Sequence, residues 1–169
     1  GWTTNLRRED ADVVGNVIVH TNSWRNAVRA GGDLDGRSQG RVRMANNTIV
    51  FDRSGVANAV MVQLGLGSLE MHNNVVYQTA SGSTPAIVRE NPASDVGQPD
   101  FCEPQSREPW SGTRQVAGSN NWVQSAATLV PAEWSGTLRG TDPMFANVAQ
   151  RSLRPRAGSP LINAGNNSP

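Results

Sequence analysis

Four segments of this chain align on an asparagine: Val13-Val14-Gly15-Asn16-Val17-Ile18-Val19, Met44-Ala45-Asn46-Asn47-Thr48-Ile49-Val50, Met71-His72-Asn73-Asn74-Val75-Val76-Tyr77 and Gly118-Ser119-Asn120-Asn121-Trp122-Val123. The asparagines fall 31, 27 and 47 residues apart. Intervals of this size are those of repeat architectures, in which each unit cannot bury its apolar face alone and must stack on its neighbours. The first two intervals fit one coil of three short strands and three bends. The third fits the same coil carrying an insertion of about 20 residues.

A second strand recurs in Asn26-Ala27-Val28-Arg29-Ala30, Asn58-Ala59-Val60-Met61-Val62 and Pro85-Ala86-Ile87-Val88-Arg89. Alternation and β-branching mark these as strands. Aligning them stacks Ala27, Ala59 and Ala86 in one row and Val28, Val60 and Ile87 in another, the second row pointing inward. The asparagine column has its own reason. A tight bend between strands needs a residue that tolerates the left-handed region and bonds locally, and asparagine does both. Asn16, Asn47, Asn74 and Asn121 therefore read as a structural ladder whose amides bond coil to coil.

Seventeen glycines and sixteen asparagines suit a chain that turns often, so helix is a minority component. Fifteen arginines and no lysine stand against fourteen acids, a net charge of +1, which leaves no electrostatic footprint for nucleic acid. No apolar run nears the roughly 18 residues that span a bilayer, so membrane insertion by a helix is not expected. Cys102 is the single cysteine, so no intrachain disulfide can form.

The chain is expected to be one domain over 1–169, part of a longer chain. Two loops project from it: a proline-rich stretch at about 91–113, unable to continue a strand ladder, and about 126–141. A closing coil follows at about 142–165. The segments Thr141-Asp142-Pro143-Met144-Phe145, Ser152-Leu153-Arg154-Pro155 and Gly158-Ser159-Pro160-Leu161-Ile162-Asn163-Ala164-Gly165 resemble the closing motif of bacterial right-handed parallel β-helix proteins. With the asparagine coils, the chain resembles the pectate-lyase-like superfamily over most of its length. Asn163 departs from the pattern, standing where Asp is common. The resemblance implies an all-β fold, a right-handed parallel β-helix (solenoid) of about four to five coils with two long loops. It also implies an extracellular, cell-surface or periplasmic location. Such proteins include polysaccharide lyases, glycosidases, tailspikes and adhesins, so the fold does not select a function.

A polysaccharide lyase neutralises a uronate carboxylate, often with Ca²⁺, and abstracts a proton with a base. Coil alignment places Asp12, Arg43 and Glu70 in one outward column, with His72 beside Glu70. An enzyme of this kind would be a polysaccharide lyase or glycoside hydrolase acting on an acidic polysaccharide; in a lyase, Arg43 or His72 would be the base and Asp12 and Glu70 ion or substrate ligands. The same charge-alternating stack also reads as plain cross-strand pairing. Asp33 and Asp35, in a glycine-rich turn, have the spacing of a Ca²⁺ loop, but two carboxylates fall short of the six to eight oxygens that the ion takes. Trp110 and Trp134 in the loops, with Arg89 and Glu90 at a strand end, are candidates to line a sugar site. The indoles could equally pack the loops onto the coils.

With no dense acidic cluster in the sequence, the leading expectation is a non-catalytic secreted or surface module. It would need no cofactor, or Ca²⁺ if it is a lyase. Its partner would be a polysaccharide or another protein chain, with self-assembly through coil ends as a further option. An enzyme requires Arg43, Glu70 and His72 to converge in a groove, a binding module requires exposed aromatic rings, and an assembling subunit requires an apolar exposed coil at residues 2–30.

Overall fold

The computed structural model describes residues 10–31, 40–63, 65–90 and 108–166. These hold fourteen strands and no helix. The first three strands, β1 (Ala11–Val14), β2 (Val17–His20) and β3 (Asn26–Gly31), each enter a different sheet. The next three, β4 (Arg41–Ala45), β5 (Thr48–Phe51) and β6 (Asn58–Gln63), lie parallel to them in the same order. So do β7 (Ser68–His72), β8 (Val75–Gln78) and β9 (Ala86–Glu90). Each circuit of the chain thus adds one strand to every sheet. With β10 (Val116–Ser119), β11 (Trp122–Gln124) and β12 (Leu138–Gly140), the first sheet runs β1-β4-β7-β10 and the second β2-β5-β8-β11-β12.

The bend between the first and second sheets is two residues long. Its left-handed residue is not the ladder asparagine, as expected, but the one before it: Gly15, Asn46, Asn73 and Asn120 have φ of 69°, 57°, 55° and 52°. The division of labour is physical. The first bend residue must reverse the chain, which glycine and asparagine do at least cost. The second is then free to aim its amide along the stack. Asn47 and Asn74 donate to the side-chain oxygens of Asn74 and Asn121 at 2.9 and 3.0 Å, and all three are buried.

A fifth bend, Gly136-Thr137, carries the same geometry with φ of 59° at Gly136. It follows Asn120-Asn121 by only sixteen residues. Residues 126–141, expected to project as a loop, instead trace a shortened circuit. Thr128 bridges Ala86, Ser135 bridges Ser119, and Leu138–Gly140 pairs with β11. Of the other expected loop, 91–107 lies outside the described residues, while Trp110 bridges Leu66.

In the third sheet the partner of Val60 is Val88, not Ile87, a one-residue slip from the sequence alignment. Register is legible in a sequence when one face is buried and the other is not. All six residues of β6 are buried, and Ile87 and Val88 are both in the core, so no alternation marks the register.

Inside the stack, Val42 and Leu69 form one row, Met44 and Met71 a second, and Ile49, Val76 and Val123 a third. Gly118 continues the methionine row. A Cβ there would lie 2.4 Å from the Trp134 indole nitrogen and 2.5 Å from the Met71 carbonyl oxygen. The missing side chain is what lets Trp134 enter the core.

The closing segment is not a further coil. Strands β13 (Phe145–Asn147) and β14 (Ser152–Pro155) form an antiparallel ribbon. It packs on the second sheet, on the face opposite Ile49 and Val76, with Phe145 edge-on to Tyr77 at 6.5 Å and Tyr77 edge-on to Trp122 at 6.4 Å. Arg151 pairs with Asp52 at 3.2 Å. Asn73 Nδ2 donates to the Asn166 carbonyl at 2.7 Å, and the Asn166 N–H donates back to Asn73 Oδ1 at 2.9 Å.

Candidate functional site

The first sheet alternates faces, so burial of Val42, Met44, Leu69 and Met71 turns Arg41, Arg43, Glu70 and His72 outward. Register sets Asp12 beside Arg43 and Arg43 beside Glu70. Parallel neighbours are about 4.8 Å apart, so the three charges make a short row of alternating sign across the strands. Arg41 closes the row at one side by pairing with Asp12 at 3.1 Å, and its backbone N–H donates to Asp10 at 2.8 Å.

His72 sits at the other side. Its Nδ1 is 2.9 Å from the hydroxyl of Ser119, its partner in register on β10, and its Nε2 is 4.0 Å from Glu70 Oε2. Partial burial holds the imidazole below its usual pKa, Glu70 acts to raise it, and Arg43 acts to lower it. The ring is therefore largely neutral at neutral pH and can accept a proton. Arg43, Glu70 and His72 lie on one outward face of the first sheet. Sequence reasoning missed Arg41 and Ser119. The signal for Ser119 is its place in the fourth asparagine repeat, 47 residues after His72.

The residues expected to line a sugar site are arranged differently. Trp110 and Trp134 are only 8% and 9% exposed, both within the core cluster, so neither offers a free ring face. Trp110 Nε1 donates to Glu90 Oε2 at 3.0 Å. Arg114 lies 6.0 Å over the Trp110 ring and pairs with both Glu90 and Glu133. Glu90 is thereby committed to a lock joining β9, the 108–114 segment and the shortened circuit. Arg89, next to last in β9, is half-buried, and at the far side of the same register row Arg29 donates to Gln63 at 3.0 Å. Asp33, Asp35 and Cys102 lie outside the described residues. Among the described residues, no three His, Cys, Asp or Glu side chains gather as metal ligands do.

No protein-family model, curated protein or solved structure matches the chain.

Proposed function

We propose that the chain forms a right-handed parallel β-helix of the pectate-lyase-like kind and serves as a non-catalytic secreted or surface module that holds an extended polysaccharide. The support for the fold is the circuit that adds one parallel strand to each of three sheets, with a two-residue bend in every turn. The observation that carries the function is how the charged groups of the first sheet are spent. Arg41 is paired with Asp12, His72 is bonded to Ser119, and Glu70 stands by His72. Side chains fixed to one another across strands make a flat polar surface of defined pattern. Such a surface recognises a regular polymer without committing any group to chemistry.

A second reading has one specific observation in its favour. A neutral, half-buried His72 next to Arg43 is suited to abstract a proton beside a uronate carboxylate. End-to-end association draws on the exposure of Val14 (54%) and Val17 (62%) in the first circuit.

The deciding experiment incubates the protein with pectin, alginate and glycosaminoglycans, with and without Ca²⁺. It follows both unsaturated-product absorbance and retardation in polysaccharide-containing native gels. Retardation without product is the expected result. Product formation that disappears in Arg43→Ala or His72→Ala overturns the non-catalytic reading in favour of a lyase.

A further inference from the structure

Asn46 and Asn73 occupy the same place in successive circuits, and Asn73 already holds a main chain. Both are the left-handed residue of the bend between the first and second sheets, with φ of 57° and 55°. Their backbone N–H groups donate alike to the next circuit, Asn46 to the His72 carbonyl and Asn73 to the Ser119 carbonyl, each at 3.0 Å. Matching backbones set the two Cα–Cβ bonds in the same direction. The Asn73 amide donates through Nδ2 to the Asn166 carbonyl at 2.7 Å and accepts from the Asn166 N–H at 2.9 Å. In extended backbone the N–H and C=O of one residue point to the same side, so a single carboxamide satisfies both as a neighbouring strand does. Asn46 is exposed, and its amide has no hydrogen-bond partner among the described residues.

Spacing decides what a second occupant is. Neighbouring circuits lie about 4.8 Å apart, whereas alternate residues of one extended strand, whose N–H and C=O face the same side, lie about 6.6 Å apart. Continuing the chain held at Asn73 therefore overshoots Asn46 by about 2 Å. A step of about 4.8 Å is instead the distance to a second strand laid beside the first.

The surroundings of Asn46 suit a peptide rather than a sugar. In the first circuit Gly15 takes the equivalent place, and nothing lies within 4 Å of where its Cβ would be. On either side of that bend stand Val14 and Val17, 54% and 62% exposed and in register with Ala45 and Thr48, which flank the Asn46-Asn47 bend. A bare backbone between two aliphatic side chains lets a main chain approach and gives its alternating side chains apolar contact on both flanks. None of these positions carries a charge or the aromatic ring on which sugars stack.

We infer that Asn46 is a main-chain clamp for an extended, neutral segment of a partner polypeptide, which lies beside the segment held by Asn73 and rests small apolar side chains on Val14 and Val17. The clamp sits on the corner between the first two sheets and does not depend on the polysaccharide reading of the first sheet.

The test titrates the isotope-labelled 169-residue chain with the blocked hexapeptide acetyl-Leu-Ile-Asn-Ala-Gly-Asn-amide, the sequence of residues 161–166 that ends in the backbone held by Asn73. NMR follows the side-chain amide resonances of Asn46 and Asn73. Those of Asn46 are expected to shift and saturate while those of Asn73 stay. Asn46→Gly keeps the left-handed bend, as Gly15 does, and removes the amide. It should weaken the peptide by about tenfold, the loss of two hydrogen bonds. A peptide N-methylated at its last residue lacks the N–H and should bind the parent protein more weakly by a similar factor. Unchanged thermal unfolding of Asn46→Gly checks that the fold is intact. If Asn46→Gly binds the peptide as tightly as the parent protein, or if Asn73 alone responds, the clamp is not at Asn46. If the parent protein does not bind the peptide, the clamp falls whatever the polysaccharide gels show. If the Asn46 resonances move on removal of residues 167–169 without peptide, the occupant is the chain's own end; if they move with protein concentration alone, it is a second copy. Either result overturns the assignment to a partner polypeptide.

Discussion

Asn74 Oδ1 accepts two hydrogen bonds from Asn47, one from its backbone N–H at 3.0 Å and one from its side-chain amide at 2.9 Å. Asn74 also returns its own amide to the Met44 carbonyl at 2.9 Å. One side chain thus satisfies three buried polar groups on the preceding circuit, in a bend where no strand ladder can do so.

Asn74→Ala should therefore be among the more destabilising single changes, at about 2–4 kcal/mol. It strands a buried N–H and a buried carbonyl whose desolvation is no longer offset. Asn16→Ala, at the exposed end of the same ladder, should cost under about 1 kcal/mol. Urea unfolding of the two variants checks the gradient, and equal losses would contradict it.

Gly118→Ala tests the packing of the shortened circuit. The new methyl would overlap the Trp134 indole and the Met71 carbonyl, so Trp134 must leave the core, at a cost of about 2–3 kcal/mol with a red-shifted tryptophan emission. At Gly15 nothing lies within 4 Å of a Cβ, and alanine there should cost only the left-handed backbone penalty, about 1–2 kcal/mol.

Acid should weaken the fold through two histidines. His72 and His20 both have pKa values lowered from 6.5, chiefly by burial, with Arg43 and Arg53 respectively adding to the effect. The unfolded chain then binds the proton more readily. The stability each ring contributes is fully present above about pH 6.5 and is lost as pH falls below it toward the folded values. His72→Gln should flatten the slope of stability between neutral and mildly acidic pH. An NMR titration should place the His72 midpoint below that of an exposed histidine.

Trp110→Phe keeps the buried ring but removes the donor to Glu90, and should cost about 1–2 kcal/mol. Arg114→Ala takes the counter-charge from Glu90 and Glu133 together and should make the remaining stability more sensitive to acidic repulsion at low salt. Thermal unfolding across ionic strength distinguishes the two: the Trp110→Phe loss should be nearly salt-independent.

Local requirements were legible in the sequence. A two-residue bend needs a left-handed residue followed by an amide, and that need recurs at Gly15-Asn16, Asn46-Asn47, Asn73-Asn74 and Asn120-Asn121, so the period and the outward Asp12, Arg43 and Glu70 column could be read directly. Which bend residue is left-handed could not, because asparagine serves both positions equally well by composition. The fifth bend was hidden by Gly136-Thr137, which meets the same backbone requirement without asparagine.

What the sequence by itself determined is the repeat: β-branched strands, their bends, and which rows carry charge, all set by residues within one circuit. Tertiary structure alone decided the register of Val88 against Val60, the burial of Trp110 and Trp134, the pairing of His72 with Ser119 and the folding of the closing ribbon onto Tyr77. Each of these is a contact between residues far apart in the chain. Its energy depends on what fills the space between circuits, and no local pattern encodes that.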